Sequence, residues 1–238
     1  MKRLDAGARC LPYAIAICCL LARANIAALA QTLAGHGVIT HGSRARREVC
    51  LTFDACQTAK PAGYDARIVS ILERTHTAAT FMLCGRWMET HVAETRHLAA
   101  NPQFEIGSHS YIHPHMTRVP ESRDIDELTK TQQIMLDVAG RRGTLFRPPY
   151  GEYDARLIQT AANLGLRTIT WEVVTGDPDK LVTANDIVRT VLHKTKPGSI
   201  IIMHVNGRGW HSAEALPAVI AGLRKRGYTF VTMSRLMN

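Results

Sequence analysis

The stretch VCLTFDAC, residues 49–56, opens as a short apolar run suited to a buried strand and closes on a carboxylate, Asp54, with Cys56 two places on. A segment with helical spacing follows: YDARIVSILERT sets Ile68, Val69, Ile71 and Leu72 on one face. The same order recurs along the chain. AATFML, FEIGS, TLF, RTITWEV, SIIIMHV and YTFVTM read as further strands. WMETHVAETRHLAA, SRDIDELTKTQQIMLDVAG, YDARLIQTAANLG, ANDIVRTVLHKT and SAEALPAVIAGLRKRG read as helices, three of them closed by Gly140, Gly165 and Gly227. Helical periodicity, glycine stops and short β-rich runs support each assignment. Alternation of strand and helix about seven times, without internal repeats, predicts an α/β fold with a largely parallel sheet covered by helices. The pattern leaves open whether the sheet is flat or closed into a barrel.

The unusual polar clusters all follow predicted strands. DAC comes after the first, SHSYIH after the third, RPPYG after the fourth, TGDPD after the fifth and HVNG after the sixth. Parallel α/β sheets gather their sites at the carboxyl ends of the strands, so these clusters converge on one rim.

Bulk properties set the frame. The 238 residues are 46% hydrophobic and 21% charged, ordinary for a globular domain able to bury a full core. MKRLDAGARC is basic, LPYAIAICCLLA is apolar, and a small-x-small ending falls at Ala28 to Ala30. Together they read as an export signal over 1–30, too short in its apolar part to span a bilayer, with no stable membrane insertion after cleavage. Residues 31–47 read as a linker or N-terminal arm before a single domain over 48–238. Removing the signal takes away four basic residues and one acidic one, and the formal charge falls from +9 to +6. The remaining basic residues are scattered as RARR, RR and RKR rather than gathered among aromatics. That pattern argues against a nucleic-acid partner and suits a solvated surface compatible with anionic envelope polymers.

LTFDAC, SHSYIHP, RPPYG and IIMHVNG, in that order, resemble the polysaccharide deacetylases of the NodB-homology type, carbohydrate esterase family 4. The resemblance covers roughly residues 48–233 and implies a distorted (β/α) barrel that removes acetyl groups from an acetylated polysaccharide with the help of a divalent metal. Under it His109 and His113 match the metal-binding histidines, donors suited to zinc. Asp54 matches the general base and Arg147 the arginine that orients it. Tyr150 matches the residue whose backbone N–H holds the developing oxyanion. His204 matches the general acid and Asp177 its acidic partner. Trp171 and Ile202 are candidates for the wall around the acetyl methyl. His115 has no matching role.

One position departs from the family pattern. A second aspartate, a metal ligand, ordinarily follows the base; here Ala55 stands in its place. Three readings stay open: Asp65 supplies the missing carboxylate, the two histidines hold a weaker ion, or the protein is a non-catalytic carbohydrate-binding relative. The intact Asp54, Arg147 and His204 favour the enzyme. Of the cysteines left after export, Cys50, Cys56 and Cys84, the last two follow neighbouring strands and are candidates for a disulfide. Cys56 is also a candidate nucleophile.

Overall fold

In the computed structural model, residues 37–57 and 63–238 are described; the expected export signal lies outside them. Eight strands, β1 (Glu48–Ala55), β2 (Ala79–Leu83), β3 (Phe104–Ser108), β4 (Leu145–Phe146), β5 (Arg167–Thr168), β6 (Val173–Val174), β7 (Ile200–His204) and β8 (Thr229–Phe230), are all parallel to their neighbours. Between them lie α1 (Ala66–Arg74), α2 (Gly85–Thr90), α3 (Val92–Ala100), α4 (Glu121–Ala139), α5 (Ala155–Asn163), α6 (Ala184–Lys194) and α7 (Ser212–Lys225), and α8 (Met233–Leu236) follows β8.

The strand order is β5-β4-β3-β2-β1-β7-β6, with β8 paired to the start of β1. RTITWEV, expected as one strand, is therefore two. Its first part pairs with β4 and its second with β7, at opposite edges of the sheet. The chain leaves one edge and joins the other within a few residues, and this crossing curls the sheet into the distorted barrel that the resemblance implies. Ile39 bridges Ile169 inside the crossing, and Arg44 forms a 2.6 Å ion pair with Glu172. The described end of the 31–47 stretch is thus an arm laid along the barrel rather than a free linker.

The period of two in β1 separates two layers. Val49, Leu51, Phe53 and Ala55 belong to the large apolar cluster shared with the helices. Cys50 belongs to a separate, smaller cluster with Met82, Ile169, Ile200, Met233 and Leu236. Thr52 and Asp54 continue the inward line toward the carboxyl end. The inner face of β1 therefore passes from apolar to hydroxyl to carboxylate as it nears the rim.

WMETHVAETRHLAA, expected as one helix, breaks at His91 (φ −130°, ψ 53°) into α2 and α3. The His91 ring stacks on Trp87 at 4.3 Å, and its Nδ1 lies 3.1 Å from the Trp87 carbonyl. A side chain that folds back onto the preceding turn competes with helix continuation.

Candidate active site

Asp54 and His204 are register partners on adjacent strands. Each is held by a partner that is itself buried. Arg147, fully buried just past β4, places Nη1 2.5 Å from Asp54 Oδ1 and Nη2 2.8 Å from the Thr52 hydroxyl and 3.1 Å from the Thr170 carbonyl. Thr52 passes its own proton to the Ile201 carbonyl at 2.8 Å, which leaves its oxygen free to accept from Arg147. Burial raises the Asp54 carboxyl, but the guanidinium charge of Arg147, with smaller help from His109 and His204, outweighs it and holds the group below the usual carboxylate range.

Asp177 holds His204 twice. Its Oδ2 accepts the His204 backbone N–H at 2.7 Å and the Ser212 hydroxyl at 2.6 Å, while its Oδ1 accepts His204 Nδ1–H at 3.0 Å. Burial lowers the His204 imidazole, and the hydrogen bond and charge of Asp177 more than reverse it, so the net direction is upward. The pair therefore contributes stability that is fully present below the ordinary histidine range near 6.5 and is lost as pH rises through the raised value. Asp177→Asn is expected to bring the His204 value down below that range, because burial then acts without the carboxylate. NMR titration of the imidazole protons of both proteins checks this; an unmoved midpoint would contradict the assignment.

His109 lies between these pairs. Its Nδ1–H donates to the Arg147 carbonyl at 2.8 Å, which fixes the tautomer and leaves the Nε2 lone pair 3.5 Å from Asp54 Oδ2. His113 packs edge-on to it with ring centroids 4.8 Å apart. Desolvation lowers both imidazoles, His113 to about 3, so both stand neutral at physiological pH. His113 sits in the left-handed region (φ 63°), as does Ser110 (φ 65°). Glu127 on α4 secures this turn: the nearly inaccessible carboxylate accepts the backbone N–H groups of Tyr111 and Ile112 at 2.7 and 2.9 Å. The sequence signal for Glu127 was faint, a polar residue beside Leu128 on the buried stripe of a helix.

Tyr150 is a third left-handed residue (φ 60°, ψ 0°), in the short turn Pro149–Gly151. Its exposed ring stacks on His115 at 4.1 Å and meets His113 edge-on at 4.4 Å. His115, assigned no role from the sequence, thus braces Tyr150, with Nδ1 2.9 Å from Glu152 Oε2. A Cβ on Gly151 would come within 2.8 Å of the Trp171 ring, so only glycine lets this turn close over the indole.

Asp54, Cys56, His109, His113, Tyr150, Trp171, Asp177, Ile202, His204 and Arg208 are among the residues that surround one cavity of about 250 Å³. Asp65 is not brought there. Its carboxylate caps α1 and grips Arg67 at 2.9 and 2.7 Å, so the expectation that it replaces the missing ligand is not met. An Asp opening a helix does what that position favours. Ala55 is fully buried in the apolar layer. Among the described residues, no group of three or more His, Cys, Asp or Glu side chains is arranged to hold a metal ion. His109 and His113 have the chemistry of zinc donors but fall one short of the three protein ligands of an open catalytic site. Cys50, Cys56 and Cys84 are free thiols, so the Cys56–Cys84 pairing is not formed; the Cys84 thiol instead donates to the His109 carbonyl at 3.0 Å.

A curled parallel barrel whose carboxyl rim carries a carboxylate–guanidinium pair and a carboxylate–imidazole pair is an architecture of the carbohydrate-deacetylase type. The chain belongs to the polysaccharide deacetylase family, whose pattern it matches over residues 41–169. It is 32% identical to a peptidoglycan-N-acetylglucosamine deacetylase of Bacillus cereus, over 79% of this chain and 67% of that protein. It is also 32% identical to the uncharacterized protein YlxY of Bacillus subtilis, over 74% of this chain but only 53% of the relative, so it spans about half of that protein's length. Among solved structures, a carbohydrate esterase family 4 pseudoenzyme from Bacillus anthracis superposes with a TM-score of 0.77 at 28% identity, covering 85% of this chain and 69% of that one. Among the described residues, no helix is long and apolar enough to cross a membrane.

Proposed function

We propose that the protein hydrolyses acetyl groups from an envelope or extracellular polysaccharide. The observation that carries this reading is the pairing of Asp54 with His204 on adjacent strands, the first a carboxylate held ionised by Arg147 and the second an imidazole pushed toward its protonated form by Asp177. A base and an acid facing one cavity are what amide or ester hydrolysis by water requires. Asp54 takes the proton of the attacking water through Oδ2, the oxygen turned toward His109. The backbone N–H of Tyr150 donates to the oxyanion, and the strained turn braced by His113 and His115 holds that group in place before reaction. His204 then gives its Nε2 proton to the departing nitrogen or oxygen, and Asp177 stabilises the charge while it is held. Trp171 and Ile202 wall the cavity on the side suited to the acetyl methyl. Export of the chain, read from residues 1–30, would bring it to such a polymer.

Asp54→Asn is expected to lower acetate release by roughly 10²- to 10⁴-fold, the usual contribution of a positioned base. The assay is acetate released from chitin oligomers, peptidoglycan strands and acetyl-xylan. Equal rates for the two proteins would remove Asp54 from the mechanism.

A second reading, a carbohydrate-binding relative without hydrolysis, is favoured by Ala55 and by the two-histidine donor set, and a pseudoenzyme stands among the similar structures. It calls for stable glycan binding with no acetate released from any of those polymers.

A further inference from the structure

Among the charged side chains around the cavity, Asp54 is neutralised by Arg147 and Asp177 by His204. Arg208 lines the same cavity, is exposed to solvent, and enters no ion pair among the described residues. The neighbouring sequence offers it no counter-ion: residues 55–64 and 205–211 contain no aspartate or glutamate. An uncompensated guanidinium at the mouth of a small cavity is a ready binding group for a planar anion, because its fork of donors matches a carboxylate.

The loop that carries it is held at several points. The Val205 N–H donates to the Asp54 carbonyl at 3.1 Å, the Asn206 side-chain amide donates to the Cys56 carbonyl at 2.8 Å, and the Trp210 N–H donates to the Asp177 carbonyl at 3.1 Å. Gly209 lies so close to the acid pair that a Cβ there would fall 2.4 Å from the His204 carbonyl and 2.8 Å from Asp177 Oδ2. The backbone before Arg208 is therefore tied to the end of the strand that carries Asp54, and the backbone after it to Asp177, the partner of His204. Such anchoring fixes the point on the rim from which the Arg208 side chain reaches, so the guanidinium samples only the space within one side-chain length of the reacting centre's edge.

We infer that Arg208 recognises a carboxylate borne by the glycan, so that the preferred substrate is an acetylated polysaccharide whose sugars carry acid groups near the acetyl, rather than a neutral one. This rests on the deacetylase reading above and narrows its substrate class. The net positive charge of the chain acts in the same direction at long range, but it gives no preference for one carboxylate position; Arg208 does.

The test compares binding to two forms of one polymer: peptide-free peptidoglycan glycan strands with free lactyl carboxylates, and the same strands with those carboxylates methyl-esterified. The full chain, Arg208→Gln and Lys225→Gln are titrated by calorimetry, with acetate release followed in parallel. Lys225 ends α7 and is exposed at the end of the barrel away from the cavity, so its variant removes one charge without touching the site. The expected result is at least tenfold tighter binding of the free-acid strands, a ratio that falls to within twofold in Arg208→Gln and survives in Lys225→Gln. A ratio near one in the unaltered protein, or a ratio that persists in Arg208→Gln, overturns the inference. Acetate released equally from both forms by both proteins overturns it while leaving the deacetylase reading intact. An Arg208-dependent ratio without acetate release does the reverse: the carboxylate site stands and hydrolysis falls.

Discussion

Replacing Ala55 with aspartate is expected to raise zinc affinity by on the order of 10²-fold. Aspartate is the residue that the family pattern has as a metal ligand at this position, the last of β1, where strict alternation ends. The structure supplies two neutral imidazoles, His109 and His113, with rings 4.8 Å apart, and no arranged third donor among the described residues. A structural zinc site of four ligands is worth roughly 10–16 kcal/mol, so one added ligand contributes about 3 kcal/mol, which sets the expected factor. The same substitution carries a second signature. Ala55 is fully buried among apolar side chains, so a carboxylate there without a cation is a buried, unpaired charge. Ala55→Asp without metal is expected to unfold at lower temperature than the unaltered protein, and added zinc to reverse the loss in a concentration-dependent way. Calorimetric titration with zinc, beside thermal unfolding with and without it, reads both effects. Unchanged zinc affinity would show that position 55 faces away from the histidine pair.

Arg147→Met is expected to lower stability by about 3–5 kcal/mol, the usual result of removing one partner from a buried ion pair. Methionine fills most of the arginine's volume, so packing loss is small and the electrostatic effect dominates. Asp54 would lose its strongest hydrogen bond, and Thr52 and the Thr170 carbonyl would each lose a buried donor. The Asp54 carboxyl, held low chiefly by this guanidinium against the opposing effect of burial, would move upward. Urea denaturation at pH 7 measures the stability change. Its pH dependence carries the sign. In the unaltered protein the depressed Asp54 value adds stability above the ordinary carboxylate range that is lost on acidification, and the variant should lack that loss. Stability within 1 kcal/mol of the parent would mean that the pair is not the anchor of the barrel interior.

Much of this arrangement was legible in the amino-acid order. VCLTFDAC, AATFML, FEIGS and SIIIMHV carry enough β-branched and aromatic content to read as strands, and the structure places β1, β2, β3 and β7 on them. The clusters that follow those strands reach one rim because parallel strands all end on the same side. Asp54, His109, His113, Tyr150, Asp177 and His204 accordingly share one cavity, with Arg147 beneath Asp54. RTITWEV was misjudged as one strand because local propensity is blind to which neighbour each half will meet. WMETHVAETRHLAA was misjudged as one helix because nothing in its spacing announces that His91 folds back on Trp87. Asp65 is a candidate metal ligand in the sequence because it opens the helix after the first strand, whereas its carboxylate is consumed by that helix start and by Arg67.

The residue order therefore settled the parallel α/β plan, the family and the side chains that meet at the rim, because strand period, helix period and chain direction are local properties. It left to the folded state the curling of the sheet through a divided fifth strand, the bracing of Tyr150 by His115 and of the His113 turn by Glu127, and the lack of an ion-pair partner for Arg208 among the described residues. Those depend on contacts between residues far apart in the chain, each needing a distance and an orientation that no local pattern encodes. The incomplete histidine site needed both: the sequence placed alanine beside the base, and only three-dimensional packing showed that Asp65 turns to Arg67 instead and that no other carboxylate among the described residues replaces it.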